Sequence, residues 1–290
     1  MKKLSDRGFS IVEMLIVLVV FGAIAGAGWY VWKQNQNKSS TSNTSNLSIK
    51  EIGAQVKTRV SSDVPEVKEE ENAEGGFNVT ISYKLEGYDY LTTAEANTSI
   101  VYAPRDSAYQ KTQAESEEAA ARQKDNETLA PAKTIIDEIL QENNFIEVKD
   151  YPADTIFGEG GGKLFERDGD VCAVLTDLVV GLGCVAKSDL RKEAEKVKPF
   201  IAAIRKGDPS SQAEGTSYSL LETGTGRTPA DKYAIVSTNV AAAYLYQDND
   251  EWVFIASSQE GIGCDEDVLI RNPKARDALI EKCRKPGEGL

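Results

Sequence analysis

The stretch FERDGDVCAVLTDLVVGLGC, residues 165–184, decides how the fold is interpreted. Shifted forward by 80 positions, it aligns with LYQDNDEWVFIASSQEGIGC, residues 245–264, and five of the twenty positions are identical. Each copy predicts a strand, a tight turn of Asp, Gly or Asn, a second strand and a Gly-x-Gly-Cys loop that leads towards a helix. We therefore predict an α+β domain with two faintly repeated hairpin-plus-helix units, residues 129–206 and 215–285. Chance similarity between the two copies is the alternative explanation.

The sequence before and after the first hairpin predicts further elements. Residues 77–85 alternate apolar and polar side chains, which indicates a half-buried strand. Residues 106–126 are rich in Ala, Glu, Gln and Lys and predict an exposed helix. Thr128 is expected to cap a second helix, with Pro131 in its first turn. The buried faces of this helix and of the helix after the first hairpin are expected at Ile135, Ile136, Ile139, Leu140, Leu190, Ala194, Val197, Ile201 and Ile204.

The four cysteines allow three disulfide connectivities. Local pairing joins Cys172 to Cys184 and Cys264 to Cys283, across 11 and 18 intervening residues. In the loop-entropy model, a bridge over a loop of this size contributes about 3 kcal/mol. The rival pairing joins Cys184 to Cys264, the two matching repeat positions, and leaves Cys172 to meet Cys283. We favour local pairing because each repeat then carries its own bridge, and the rival pairing stays open.

Composition excludes several functional classes. The 290 residues include no histidine, so the familiar hydrolytic triads and His-containing zinc sites are excluded. No CxxC spacing is present to form a four-thiolate metal site. A formal net charge of -13 disfavours nucleic acid as a partner. An enzyme would need carboxylates, Tyr or Lys in place of histidine, and an ectoenzyme of this kind is the less favoured alternative to a non-enzymatic protein. We expect no catalytic residues, no metal, no cofactor and no nucleic-acid partner.

The N-terminal part of the chain contains a long apolar run. Residues 14–32 carry no charge, and a helix of that length, at about 1.5 Å per residue, spans the hydrocarbon core of a bilayer. Lys2, Lys3 and Arg7 precede the run, so the positive-inside rule predicts a cytoplasmic N-terminus. We therefore predict a single-pass membrane protein in which residues 47–290 form an extracytoplasmic head.

The residues in front of the apolar run form a recognisable pattern. Residues 1–8 are short, basic and hydrophilic, Gly8 is followed by Phe9, and Glu13 is the fifth residue after that junction. The pattern resembles the prepilin leader of type IV pilins and pseudopilins, in which a membrane peptidase cuts after the glycine and methylates the new terminal amine. The resemblance implies a leader at residues 1–8, processing at Gly8 and Phe9, and a transmembrane and assembly helix at residues 9–33. It also implies three kinds of partner, which are the membrane, the prepilin peptidase and other pilin-like subunits.

The resemblance also implies a role for Glu13. A carboxylate in an apolar membrane helix costs at least ~2.5 kcal/mol, so it favours a nearby cation in this low-dielectric environment. In the pilin family, the glutamate is thought to pair with the N-terminal amine of the neighbouring subunit as helices pack into a filament. The alternative interpretation leaves Glu13 near the cytoplasmic interface, where water hydrates it.

Residues 34–46 depart from the pilin pattern. They consist of Gln, Asn, Ser and Thr with one lysine, so they predict a flexible linker, whereas typical pilins continue the apolar helix into an amphipathic half. The departure argues against a major filament subunit. We therefore predict a minor pilin or pseudopilin that is displayed at the cell surface, with a location in a pilus left open. The alternative is a membrane-tethered binding or adhesion module that does not assemble into a filament.

Overall fold

The computed structural model describes residues 47–70, 79–112, 114–149, 161–212 and 215–284. The chain divides into two compact units, residues 1–46 and residues 47–290, and every described residue belongs to the second. The membrane helix predicted for residues 9–33 and the linker predicted for residues 34–46 lie outside the described residues. Within the described part, we find no helix with the length and apolarity that a bilayer span requires. The described unit has the predicted α+β class.

Helices and strands alternate in groups along the described residues. The helices are α1 (Ile49–Asp63), α2 (Ala108–Lys111), α3 (Glu118–Glu142), α4 (Lys187–Gly207), α5 (Asp267–Arg271) and α6 (Pro273–Leu279). The strands are β1 (Val67–Glu69), β2 (Thr80–Tyr83), β3 (Leu91–Glu95), β4 (Thr98–Pro104), β5 (Ile146–Glu147), β6 (Gly162–Arg167), β7 (Asp170–Thr176), β8 (Val180–Ala186), β9 (Ser217–Thr225), β10 (Lys232–Thr238), β11 (Ala242–Asp248) and β12 (Glu251–Ser258).

The described strands form two six-stranded sheets. Sheet A has the order β1-β4-β8-β7-β6-β5, and sheet B has the order β12-β11-β10-β9-β3-β2. Within the described part, neighbouring strands are antiparallel apart from β3 and β9, which run parallel and pair at two positions. Because β3 precedes sheet A's central hairpin in the chain and β9 comes after it, this short parallel contact joins distant parts of the sequence in one sheet.

The β7–β8 hairpin is buried on both faces. Val171 and Ala173 point into a core that sheet A shares with sheet B and α4, which we call the inter-sheet core. Cys172 and Val174 point to the opposite face, into a core that sheet A shares with α1 and α3, which we call the helix-side core. The two-residue period of a strand therefore supplies two cores from one hairpin.

The helices cover these cores with the stripes that the sequence predicts. In α3, Ile135, Ile136, Ile139 and Leu140 are buried in the helix-side core. In α4, the predicted residues enter the inter-sheet core together with Phe200, which was not predicted; they are Leu190, Ala194, Val197, Ile201 and Ile204. The far face of sheet B packs on α5 and α6 through a third core, which includes Tyr233, Tyr244 and Leu279.

The predicted start of a helix at Thr128 and Pro131 is wrong. Helix α3 begins at Glu118 and continues through both residues. The Thr128 hydroxyl donates to Lys124 O at 3.0 Å, one turn earlier, and does not cap a helix. Proline lacks the N–H for the helical bond to the preceding turn, yet Leu129 and Ala132 are buried on either side of it. Packing of this face on sheet A and α1 outweighs the local cost of Pro131.

The predicted loop at Gly181–Cys184 is also wrong, because these residues lie inside β8. A Cβ atom on Gly183 would stand 2.4 Å from Val79 Cγ1, so the glycine permits the close approach of the segment before β2. In the second copy, Gly261 has a φ of 90° and leads into an irregular segment before α5, as predicted. The aligned copies thus share a hairpin, but the segments after the two hairpins differ.

The two disulfides join Cys172 to Cys184 and Cys264 to Cys283. This is the local pairing, which the sequence analysis favoured while leaving the rival pairing open. Cys172 and Cys184 are directly opposite each other on β7 and β8, and both are fully buried in the helix-side core. Cys264 and Cys283 join the segment after β12 to the segment after α6, where Cys264 is partly exposed. One bridge therefore lies in the interior and the other near the surface.

We expect a phosphine reductant without denaturant to open Cys264–Cys283 before Cys172–Cys184. A reductant must reach a sulfur atom, and the helix-side core has to open before it reaches Cys172. Alkylation followed by peptide mapping of the full chain should show the inner pair reacting at least about tenfold more slowly. In guanidinium chloride, as the control, the two rates should converge. Faster alkylation of Cys172 and Cys184 in the native chain would contradict the buried position.

Candidate functional site

The residues predicted for processing and assembly, Gly8, Phe9 and Glu13, lie outside the described residues, and their roles stay predictions. The described chain begins with a locally fixed helix start. Ser48 Oγ accepts a hydrogen bond from Glu51 N at 3.3 Å, and the Glu51 carboxylate accepts one from Ser48 N at 2.8 Å. These reciprocal bonds form a capping box. The bond from the Ser48 backbone is the main reason that the pKa of Glu51 lies below its ordinary value.

The guanidinium of Arg167 ties this first turn to sheet A. Its side chain is 9% exposed. Its Nη2 donates to Leu47 O at 2.9 Å and to Asp170 Oδ2 at 2.6 Å, and its central carbon stacks 4.4 Å from the centre of the Phe145 ring. The sequence predicts a turn beside Arg167 but contains no sign of this contact, because Leu47 lies 120 residues earlier. Arg167 therefore holds the segment before α1 against sheet A.

A cleft opens where β3 and β9 separate, and we call it the β3–β9 cleft. The two strands pair only at Leu91 with Ser217 and at Thr92 with Tyr218. Beyond that contact, β3 continues along β2 and β9 continues along β10. The cleft between them has a volume of about 640 Å³ and is lined by residues 93–95, residues 219–221 and the first turns of α4. Sequence reasoning missed it because a parallel contact between distant strands leaves no local pattern.

The strand edges that face the β3–β9 cleft carry backbone groups that belong to no described pairing of β3 with β9. Leu91 N donates to Thr216 O at 3.0 Å, which identifies the edge of each strand that faces the other. Backbone groups alternate between the two edges of a strand. Glu95 is four residues after Leu91, and Leu220 is four residues after Thr216, so their N–H and C=O groups lie on these same edges and point into the cleft. Neither residue belongs to the described pairing of β3 with β9. The cleft thus resembles a sheet with a strand missing.

A second cleft, of about 420 Å³, lies between the segment before β3 and the last turns of α4. The Tyr88 and Tyr90 rings meet edge to face at 5.4 Å. Arg205 Nη1 donates to Asp89 Oδ2 at 2.6 Å, and Tyr90 Oη donates to Ala194 O at 3.2 Å. Burial raises the pKa of Tyr90 to about 12. These bonds join the segment before β3 to α4 and indicate a structural role for the cleft.

The most buried carboxylate of the described residues is also structural. Asp125 is 2% exposed and accepts hydrogen bonds from Ser107 Oγ at 2.6 Å, Ala108 N at 2.8 Å and Tyr109 N at 3.1 Å. It therefore fixes the start of α2 against α3. Across the described ranges, no group of three or more Cys, Asp or Glu side chains is arranged to hold a metal ion.

Comparison with known families identifies the N-terminal segment. A model of the prokaryotic N-terminal methylation motif matches residues 3–29. The chain carries the methylation motif of prepilins. The match contains Gly8, Phe9 and Glu13, and it confirms the resemblance to a prepilin leader. No curated protein and no solved structure matches the chain significantly.

The methylation motif indicates a type IV pilin-like protein that is processed as a prepilin. Such a signal is typical of structural proteins that are anchored in the membrane, exposed at the surface and assembled with other pilins. The match ends at residue 29. The match therefore does not extend to the domain that begins at Leu47.

We expect Tyr90→Phe to change how stability depends on alkaline pH. The pKa of Tyr90 in the folded protein, about 12, is above its ordinary value of about 10. Its contribution to the free energy of unfolding is therefore complete below pH 10 and is lost as pH rises through 12. Urea unfolding of a protein that consists of residues 47–290 should show that the substitution lowers the free energy of unfolding by about 1 kcal/mol at pH 7, because the hydrogen bond to Ala194 O is lost. Between pH 10 and 12 the loss of stability should be shallower than in the parent. Equal slopes for the two proteins would contradict the buried, protonated phenol.

Proposed function

We propose that the chain is a minor pilin or pseudopilin. Prepilin peptidase cuts it between Gly8 and Phe9 and methylates the new amine. Residues 9–33 hold the mature chain in the membrane, and residues 34–46 form a flexible linker. Residues 47–290 are displayed outside the membrane as an acidic head. The protein works by assembly and display, without catalysis.

The methylation motif at residues 3–29 is the observation that supports this proposal most strongly. The motif combines a cleavage junction with a carboxylate at the start of the apolar run, and assembly supplies a physical reason for that carboxylate. Cleavage releases an amine at Phe9, five positions from Glu13 counting both residues. A buried carboxylate and a buried ammonium of neighbouring subunits compensate each other's desolvation, whereas either one alone is costly.

The polar linker favours a minor subunit over a major one. A major filament subunit needs a stiff connection between the membrane helix and the head, and residues 34–46 have the composition of a random coil. A linker of this length reaches on the order of 20 Å. A minor subunit or pseudopilin tolerates such a connection because neighbouring subunits maintain the filament.

A second function, a tethered binding module that does not enter a filament, is supported by the β3–β9 cleft. Two open strand edges and an exposed leucine at residue 221 are features of a surface that receives a partner. In this alternative the prepilin route serves for membrane insertion alone. The two functions differ in whether the charge of Glu13 is needed.

We expect Glu13→Gln to abolish incorporation into filaments without preventing membrane insertion or cleavage. Insertion becomes slightly easier because the helix loses a charge, and the junction at Gly8 is unchanged. Assembly fails because the neighbour's amine loses its partner, at a cost of ~3–5 kcal/mol for a broken buried pair. The measurement compares the protein in sheared filaments with the protein in the membrane.

The matched control is Glu115→Gln, which removes one carboxylate from an exposed position of the head and should assemble like the parent. Normal assembly of Glu13→Gln would contradict the proposed pairing. A parent chain that never enters a filament would support the tethered module instead.

A further inference from the structure

The β3–β9 cleft has the geometry of an acceptor for an extended strand. The backbone groups of Glu95 on β3 and of Leu220 on β9 face the cleft and belong to no described strand pair across it. Open edges of this kind bind extended peptides by adding a strand to the sheet. The first turns of α4 form the floor, so the edges are accessible from one side.

A β-bulge exposes an apolar side chain at the same place. The pairing of β9 with β10 shifts between Glu222, opposite Ile235, and Leu220, opposite Val236, so Leu221 is the extra residue of the bulge. Bulges redirect side chains and are frequent beside binding sites. Leu221 is 59% exposed and lines the cleft. It provides an apolar contact for an incoming side chain.

The charges of the cleft indicate the chemistry of its ligand. On the floor, Lys192 Nζ lies 2.7 Å from Asp189 Oδ1, and Lys196 pairs with Glu193 at 2.6 Å. Glu95 also lines the cleft and is exposed, and no described residue forms an ion pair or a side-chain hydrogen bond with it. Among the described residues, the Glu95 carboxylate of the cleft is therefore not compensated by a cation. A lysine or arginine side chain of a ligand would supply that cation.

We propose that the β3–β9 cleft binds an extended peptide segment of another protein, which adds a strand beside β9 and carries a basic side chain opposite Glu95. The main-chain hydrogen bonds provide affinity. The contact with Leu221 and the charge of Glu95 select an alternating apolar and basic sequence. This binding goes beyond the proposed function, because it concerns what the head recognises and not how the chain is processed or assembled.

The test uses the full-length protein in detergent and three fluorescein-labelled peptides of nine residues. The first alternates threonine and valine around a central lysine, the second has glutamate in place of the lysine, and the third has proline at two of the valine positions. Fluorescence polarisation should show binding of the lysine peptide, about tenfold weaker binding of the glutamate peptide, and no binding of the proline peptide, which cannot add as a strand.

Two variants should locate the binding in the cleft. Leu221→Ser should weaken binding of the lysine peptide about fivefold, because an apolar contact is lost. Glu95→Gln should weaken it about threefold, as expected for an exposed ion pair, and should reduce its preference over the glutamate peptide. The matched control is Val240→Ser, which removes an apolar side chain that is 64% exposed at the β10–β11 turn and should leave binding unchanged.

Several results would overturn this inference. They are absence of binding for all three peptides, equal binding of all three, and binding that neither Leu221→Ser nor Glu95→Gln alters. Self-association that Leu221→Ser abolishes would identify a second copy of the chain as the occupant and would also refute a separate partner. None of these results bears on cleavage at Gly8, so failure here is distinguishable from failure of the proposed function.

Discussion

The domain depends on one constraint, which is that the β7–β8 hairpin must be buried on both faces. The face with Cys172 and Cys184 meets the helices, and the disulfide fixes the two strands to each other there. On the other face, Gly183 has no side chain, so Val79 and the segment before β2 approach β8 closely. A larger residue at 183 would push sheet B away. The positions of α3, α4 and sheet B therefore all depend on how the side chains of β7 and β8 alternate between the two faces of sheet A.

Features that depend on neighbours in sequence could be predicted, and those that depend on distant contacts could not. The buried stripe of α4 and the hairpin turn before Glu251 arise from local periodicity and turn residues. Pro131 misled the prediction because tertiary packing held α3 together across it. Gly183 misled it because a glycine needed for close packing has the same sequence signal as a glycine in a loop.

The two candidate sites differ in the same respect, because one depends on neighbours in sequence and the other on distant contacts. Gly8, Phe9 and Glu13 form a local pattern, so the sequence indicates prepilin processing without knowledge of the fold. The β3–β9 cleft arises where two strands part after two paired residues, and Leu221 is exposed by a single shift of register. The chain thus combines a recognisable N-terminal motif with a cleft that has no sequence signature.

The proposed assembly depends on cleavage between Gly8 and Phe9, because this step releases the amine that pairs with Glu13 of a neighbouring subunit. The mature N-terminus shows whether that bond is cut. The measurement is intact-mass and N-terminal peptide analysis of the full chain, recovered from cell membranes that contain a prepilin peptidase. We predict a chain that begins at Phe9 and carries one added methyl group on its terminal amine. A mature chain that keeps residues 1–8, or one that is cut beyond Trp29, would contradict it.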